Sequence, residues 1–335
     1  MSRFFLFLVY FAIVSFYFVS CAPTPSLNNK FDPISETYRE LRLLECALQL
    51  DSNCLSTYQL SGTITGLISG TSLKLKLNGG QNSSPISNNG SFSITTKGGS
   101  LSADLEIGEH PAQLYCTVEH QGTNSESGKN DVIVSCPMAR LETEGKQILW
   151  TRCAYGQVWN PNGSNGAGDC KGTGTSATEY GLNYSLNFCS NPIGDCNGGS
   201  GLAGGPLLPP PWLNSSTSQV YSACEGLNLS KKFGRSNWRV PNIMELKQIV
   251  YCSNGPNPPL ANFIQCNGGS TMPTINTSLF PDTTVTQGGA PYAGYWSATS
   301  YSVDYAQSFQ VSFRTGETTT PDQDQSFSVR CVSTL

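Results

Sequence analysis

The spacing of apolar and polar positions changes several times along this chain, and each change marks a boundary. Residues 1–20, MSRFFLFLVYFAIVSFYFVS, are almost uniformly apolar behind Arg3. The run stops at Cys21 with Pro23 and Pro25 just behind it. That is short of the roughly twenty apolar residues a spanning helix needs, so it reads as a signal peptide. Residues 21–30 are a polar tether. Over residues 31–57 the period is helical, with Leu41, Leu44, Ala47 and Leu48 on one face, which predicts a small helical collar. From 58 to 137 the period falls to two. LSGTITGL, SLKLKLNGG, GSFSITT, AQLYCTVEH and NDVIVSCP are separated by Gly, Asn and Ser clusters, the pattern of an antiparallel β-sandwich. Residues 138–150 lead into a terminal domain (138–335) whose first segment is ILWTRCAYGQVWN, with Trp150 and Trp159 expected in its core.

Within that domain helical spacing returns at NWRVPNIMELKQIVY, residues 237–251. Pro241 holds the preceding residue extended, Asn242 caps, and Glu245 three residues on completes a capping box, so a helix begins at Ile243. Ile243, Leu246, Ile249 and Val250 face inward, and Glu245, Lys247 and Gln248 are expected in water.

Cysteine usage changes the picture from a cytosolic chain to an exported one. Val19-Ser20-Cys21 resembles the end of a bacterial lipobox, in which the cysteine becomes the acylated N-terminus; this implies lipidation at Cys21 and a membrane partner through the lipid. Of thirteen cysteines, 13 − 1 = 12 then remain, an even set suited to six disulfides in an oxidising compartment. Cys46 with Cys54, Cys153 with Cys170, Cys189 with Cys196, and Cys252 with Cys266 are local pairs. Cys116 and Cys136 sit on successive strands. A turn centred near Glu126 brings them face to face, because opposed residues of an antiparallel hairpin have a constant index sum. A zinc site is poorly supplied: there is no C-x-x-C, and the histidines are His110 and His120, both read as surface or turn residues.

Charged residues make up 13% of the chain, and the net charge of −4 argues against a nucleic-acid partner. Gly199-Ser200-Gly201-Leu202-Ala203-Gly204 matches G-x-G-x-x-G by letter, but PLLPPPW follows where a helix is required, so no nucleotide cofactor is expected.

The run W-R-x-P-x-x-x-E-L at Trp238–Leu246, then I-N-x-x-x-F-P at Ile275–Pro281, Y-W-S-x-T at Tyr295–Thr299 and V-R-C-V at Val329–Val332 resemble, in this order, the Lcl carboxy-terminal domain family. The resemblance covers about residues 150–335. It implies an α+β, disulfide-rich fold related to C-type-lectin-like and formylglycine-generating-enzyme domains, with a disulfide joining an early helix to the last strand. Cys224, on the apolar face of a predicted helix with Val220 and Leu227, and Cys331, alternating inward with Phe327 and Val329, fit that bridge. The module G-T-I-T-G-L, G-S-F-S-I, P-A-Q-L-Y-C-T-V and V-I-V-S-C resembles an immunoglobulin-like repeat of bacterial surface proteins, which implies a spacer.

For catalysis the terminal domain offers no histidine, so a Ser-His-acid triad is excluded there and no catalytic residue is assigned. Asp304, Glu317, Asp322 and Asp324 are carboxylates suited in principle to calcium or acid–base work, and a solvated turn is the favoured reading. Trp296 is followed by Ser297-Ala298 where calcium-dependent lectins carry W-N-D, so no metal is expected. The basic residues Lys231, Lys232, Arg235, Arg239 and Arg314 are the candidate ligand-binding set. The resulting expectation is a lipid-anchored protein of the bacterial cell envelope, surface-exposed on the outer membrane. It has no enzymatic activity and no cofactor, and its head binds an extracellular glycan or glycoprotein. The alternatives are an enzyme of the formylglycine-generating type and a structural envelope protein.

Overall fold

The longest element is strand β7 (Gly128–Thr143), flanked by the other strands of a seven-stranded sheet. The computed structural model describes Leu41 and residues 57–77, 82–97, 104–125, 128–143, 145–163, 166–171, 185–189, 218–254, 265–266, 270–285, 294–301, 304 and 306–335. The expected signal peptide, Cys21, the tether, Cys46, Cys54, Cys196 and the G-x-G-x-x-G loop lie outside them. The chain divides into two compact units, residues 1–60 with 94–103 and 124–130, and residues 61–93 with 104–123 and 131–335.

In the sheet, β1 (Thr57–Thr65) pairs with β7 and β3 (Gly90–Lys97) with β1. A separate ladder joins β2 (Lys74–Leu77) to β4 (Leu105–Glu109). β5 (Leu114–His120) and β6 (Thr123–Ser125) also pair with β7. On β7 the alternate residues Val132, Val134, Cys136 and Met138 are fully buried, as the period of two requires. Leu114 opposes Ala139 and Thr117 opposes Ser135, so Cys116 and Cys136 lie across the ladder, bonded with their Cα atoms 3.9 Å apart.

Residues 138–151 are strand and turn rather than connector. β7 continues to Thr143, Gly145 turns the chain with φ +75°, and β8 (Lys146–Thr151) returns in register from Thr143 opposite Lys146 to Met138 opposite Thr151. The pattern is hard to read because Ile148, Leu149 and Trp150 are buried in succession, covered on both faces. The C-terminal strand β14 (Val332–Thr334) then pairs with β8, Val332 opposite Trp150.

The rest of the terminal region packs onto this sheet. β9 (Leu186–Asn187) pairs with β13 (Ser326–Phe327), and β10 (Gly294–Ser300), β11 (Ser308–Ser312) and β12 (Glu317–Thr319) form a three-stranded antiparallel sheet. Helix α1 (Gln219–Leu229) starts where the Ser218 hydroxyl accepts the Tyr221 N–H, and it buries Val220, Ala223 and Cys224. Cys224 is bonded to Cys331 beside β14, Cα atoms 5.7 Å apart. Around that bridge Met138, Leu149, Phe188, Trp238, Val240, Trp296, Phe327 and Val329 form one core. Trp296 is fully buried at its middle, edge-on to Phe188 and Phe327 at 5.5 and 4.9 Å, with its indole N–H donating to the Leu186 carbonyl. Cys153–Cys170 and Cys252–Cys266 are also bonded, and Cys189 is disulfide-bonded.

Helix α2 (Ile243–Gln248) has the capping box its sequence announces: Asn242 Oδ1 accepts the Glu245 N–H at 2.9 Å and Glu245 Oε2 accepts the Asn242 N–H at 2.8 Å. The expectation that Glu245 and Lys247 stay in water fails, since each is only 4% exposed. Arg239 explains Glu245: both guanidinium arms donate to the carboxylate, at 2.5 and 2.8 Å, so the buried charge is paired and hydrogen-bonded. Gln248 is half-buried and accepts from the Thr143 hydroxyl at 2.5 Å.

Two arginines are also buried without a described carboxylate partner. Arg152 donates to the carbonyls of Gly66, Cys136, Ala167, Ser278 and Leu279, and its guanidinium lies 4.5 Å from the ring of half-buried Trp159. Arg330 donates to the carbonyls of Thr151 and Arg152 and to the Thr283 hydroxyl, and stacks over Phe280. Burial, and next the neighbouring Arg330, push the Arg152 pKa down to about 9, so it stays charged at neutral pH. Fully buried Trp150 meets Phe280 edge-on at 6.2 Å.

Candidate binding cleft

After α1 the backbone makes a turn that an ordinary L-residue sequence does not favour. Lys231 has φ +47° and ψ +43°, Phe233 has φ +56° and ψ +32°, and Gly234 has φ +71°. For glycine this costs little; for a bulky aromatic it is a genuine outlier that persists only where the surroundings impose it. Those surroundings are visible. The Trp238 indole N–H donates to the Lys232 carbonyl at 3.0 Å, and the Lys231 N–H to the Asn228 carbonyl at 3.0 Å. Asn228 is itself clamped to both backbone groups of Trp238, and Phe233 sits edge-on to the Trp238 ring. Arg235 ties the far end to the last strand through the Ser333 hydroxyl and the Thr334 carbonyl. The outcome is a rigidly supported turn with Lys231 and Lys232 exposed on it, the Lys232 ammonium 5.2 Å from the Phe233 ring centre.

This turn forms one wall of a cleft of about 770 Å³, and β4 and β5 form the other. Leu105, Ile107, Val118 and Phe233 supply apolar surface, and Glu106, Glu119, His110, Tyr115, Thr117 and Lys232 supply polar groups. His110 stacks on Tyr115 with ring centres 4.0 Å apart, and its Nδ1 accepts the Cys116 N–H at 3.1 Å. Burial, and then Arg140, bring its pKa down to about 4, so at neutral pH the ring is uncharged with its proton on Nε2. The Thr117 hydroxyl is buried without a hydrogen-bond partner, an arrangement that needs a reason.

The five basic residues of the expected ligand-binding set are placed as follows. Lys231 and Lys232 stand exposed on the turn. The Arg239 guanidinium is held by Glu245, and that of Arg235 by Ser333 and Thr334, so their donors are directed into the fold. Arg314 is half-buried in the turn between β11 and β12. Of the carboxylates, Asp304 accepts the Ala306 N–H and Asp322 accepts from the Gln307 amide, and both are exposed. Among the described residues no three His, Cys, Asp or Glu side chains gather as a metal site. His120 is exposed on β5. The sequence reading passed over Glu106, Tyr115, Thr117, Glu119 and Phe233, and its only signal was the stretch K-K-F-G after a predicted helix.

Residues 143 onward thus make a β-rich, disulfide-bonded domain with few helices. The model of the Lcl C-terminal domain family matches residues 143–333, more than half the chain, and the protein belongs to that family. Neither the curated proteins nor the solved structures contain a match.

Proposed function

We propose that this chain is a lipid-anchored surface protein whose Lcl C-terminal domain binds an extracellular glycan or glycoprotein without turning it over. The observation that carries the reading is the strained, many-times-anchored turn that holds two lysines and an aromatic ring at the mouth of a cleft. Backbone strain of this kind is retained where presentation of side chains matters. Family membership and the cysteine-rich composition support an exported setting. The finer assignments, an immunoglobulin-like spacer and a C-type-lectin-like head, are part of the same proposal. So is attachment through acylated Cys21, for which the apolar run ending in Val-Ser-Cys is the support. Labelled palmitate should enter the wild type and not Cys21→Ser; equal labelling of both removes the anchor.

Two exposed ammonium groups on a rigid turn fit a sulfated glycan. In an acidic protein each contact is modest and falls as salt screens it. Lys231→Glu combined with Lys232→Glu should abolish retention on heparin at physiological salt while leaving the near-ultraviolet circular dichroism unchanged. Undiminished retention would rule the turn out as the contact.

A further inference from the structure

We propose that the cleft between β4–β5 and the Lys231–Gly234 turn is a subsite for a sugar ring carrying no sulfate or carboxylate. The inference rests on the glycan-binding reading above and adds to it a second subsite of opposite charge preference.

Three features of the cleft lead there. The first is an aromatic lining: the stacked His110–Tyr115 pair on one wall and Phe233 on the other. The C–H faces of a pyranose pack against such rings, as apolar surface generally does. The second is a set of polar groups of both kinds. His110 Nε2–H is a donor, the Tyr115 and Thr117 hydroxyls donate or accept, and the Glu106 and Glu119 carboxylates accept. The Thr117 oxygen is itself shielded from solvent and has no hydrogen-bond partner among the described residues, so a ligand is met by the other lining groups. A ring whose every hydroxyl is donor and acceptor at once satisfies such a mixture, whereas an apolar ligand leaves it unpaired.

The third feature is charge. The cleft is lined by two acidic residues, Glu106 and Glu119, and one lysine, Lys232, whose ammonium lies 5.2 Å from the Phe233 ring centre. With His110 uncharged at neutral pH, the lining offers a sulfated or carboxylated ring more repulsion than attraction, Arg140, which bears on His110, offsetting part of it. The anionic ligand that suits Lys231 on the outside of the turn is therefore less favoured within the cleft. The volume, about 770 Å³, is within the range of small-ligand sites.

The test uses the whole chain and two classes of probe, neutral tetrasaccharides of N-acetylglucosamine, glucose, mannose and galactose, and a heparin tetrasaccharide, each titrated by calorimetry. At least one neutral tetrasaccharide should bind, and Tyr115→Ala should weaken it by about tenfold or more. Tyr115→Phe, which keeps the ring, should weaken it far less. Because Tyr115 adjoins a disulfide, Glu106→Gln with Glu119→Gln serves as a second variant. Both carboxylates are exposed, and losing them should cost several-fold in the neutral sugar while leaving heparin affinity equal or higher. Lys231→Glu should lower heparin affinity and leave the neutral sugar unchanged. No neutral sugar binding at about 10 mM, or binding indifferent to both the Tyr115 and the carboxylate variants, overturns the subsite. In that case heparin loss in the Lys231→Glu chain would still uphold the function proposed for the turn. Neutral binding in the cleft with no heparin binding would do the reverse.

Discussion

Cys331→Ser is expected to leave the terminal domain unfolded at ordinary temperature. The bond it removes spans 107 residues of sequence and joins α1 to the segment entering β14, the strand that closes the sheet edge against β8. For a loop of about a hundred residues the chain-entropy estimate is about 4.7 kcal/mol, a large part of the 5–15 kcal/mol that stabilises an ordinary domain. Both sulfurs lie in the core with Trp238, Trp296 and Val329, so the substitution also leaves a hydroxyl without water beside a free thiol. Breaking Cys252–Cys266, which closes only 14 residues, should cost less. Urea unfolding of the single and paired Cys→Ala variants measures the difference. A Cys331→Ser midpoint within error of wild type would refute the account of the core.

Arg152→Met should cost about 4 kcal/mol, more than a surface arginine ever does. The side chain is 1% exposed and its donors serve carbonyls from four separate stretches of chain, residues 66, 136, 167 and 278–279. Methionine fills similar volume and removes the burden of a buried charge. It removes the donor that serves the buried carbonyls of Gly66, Cys136 and Leu279, however, and each buried acceptor left unsatisfied costs about 1–3 kcal/mol. Lysine should not rescue, because one ammonium cannot reach groups arranged around a planar fork. Thermal unfolding of wild type, Arg152→Met and Arg152→Lys checks this; equal midpoints for wild type and the lysine variant would contradict it.

What the sequence made legible was mostly local. Asn242 and Glu245 announce their helix because a capping box is written in four residues, and Cys116 and Cys136 announce their pairing because a hairpin is arithmetic. The strand motifs between residues 58 and 137 were legible for the same reason. β4 was missed: within its five residues only Leu105 and Ile107 carry the period. β8 was missed because burial on both faces erases alternation. Glu245 and Lys247 look like solvent-facing residues of an amphipathic helix. The position of Arg239, fixed by a backbone bridge to Val332, together with the Asn242 N–H, makes the interior acceptable for Glu245. The cleft was barely legible, K-K-F-G after a predicted helix being its one signal. Its walls come from residues 105–119 and 232–234, and nothing in either stretch signals the other. Of the five cations read as a ligand-binding set, the fold exposes Lys231 and Lys232 together on one turn and directs the guanidiniums of Arg235 and Arg239 inward.

The most direct measurement is a backbone amide chemical-shift map of the whole chain titrated with a heparin tetrasaccharide at physiological salt. The account predicts that the perturbed amides cluster at residues 230–235, with Lys231, Lys232 and Phe233 largest. A map whose shifts fall around Arg314, or that shows no saturating shift anywhere, would contradict it.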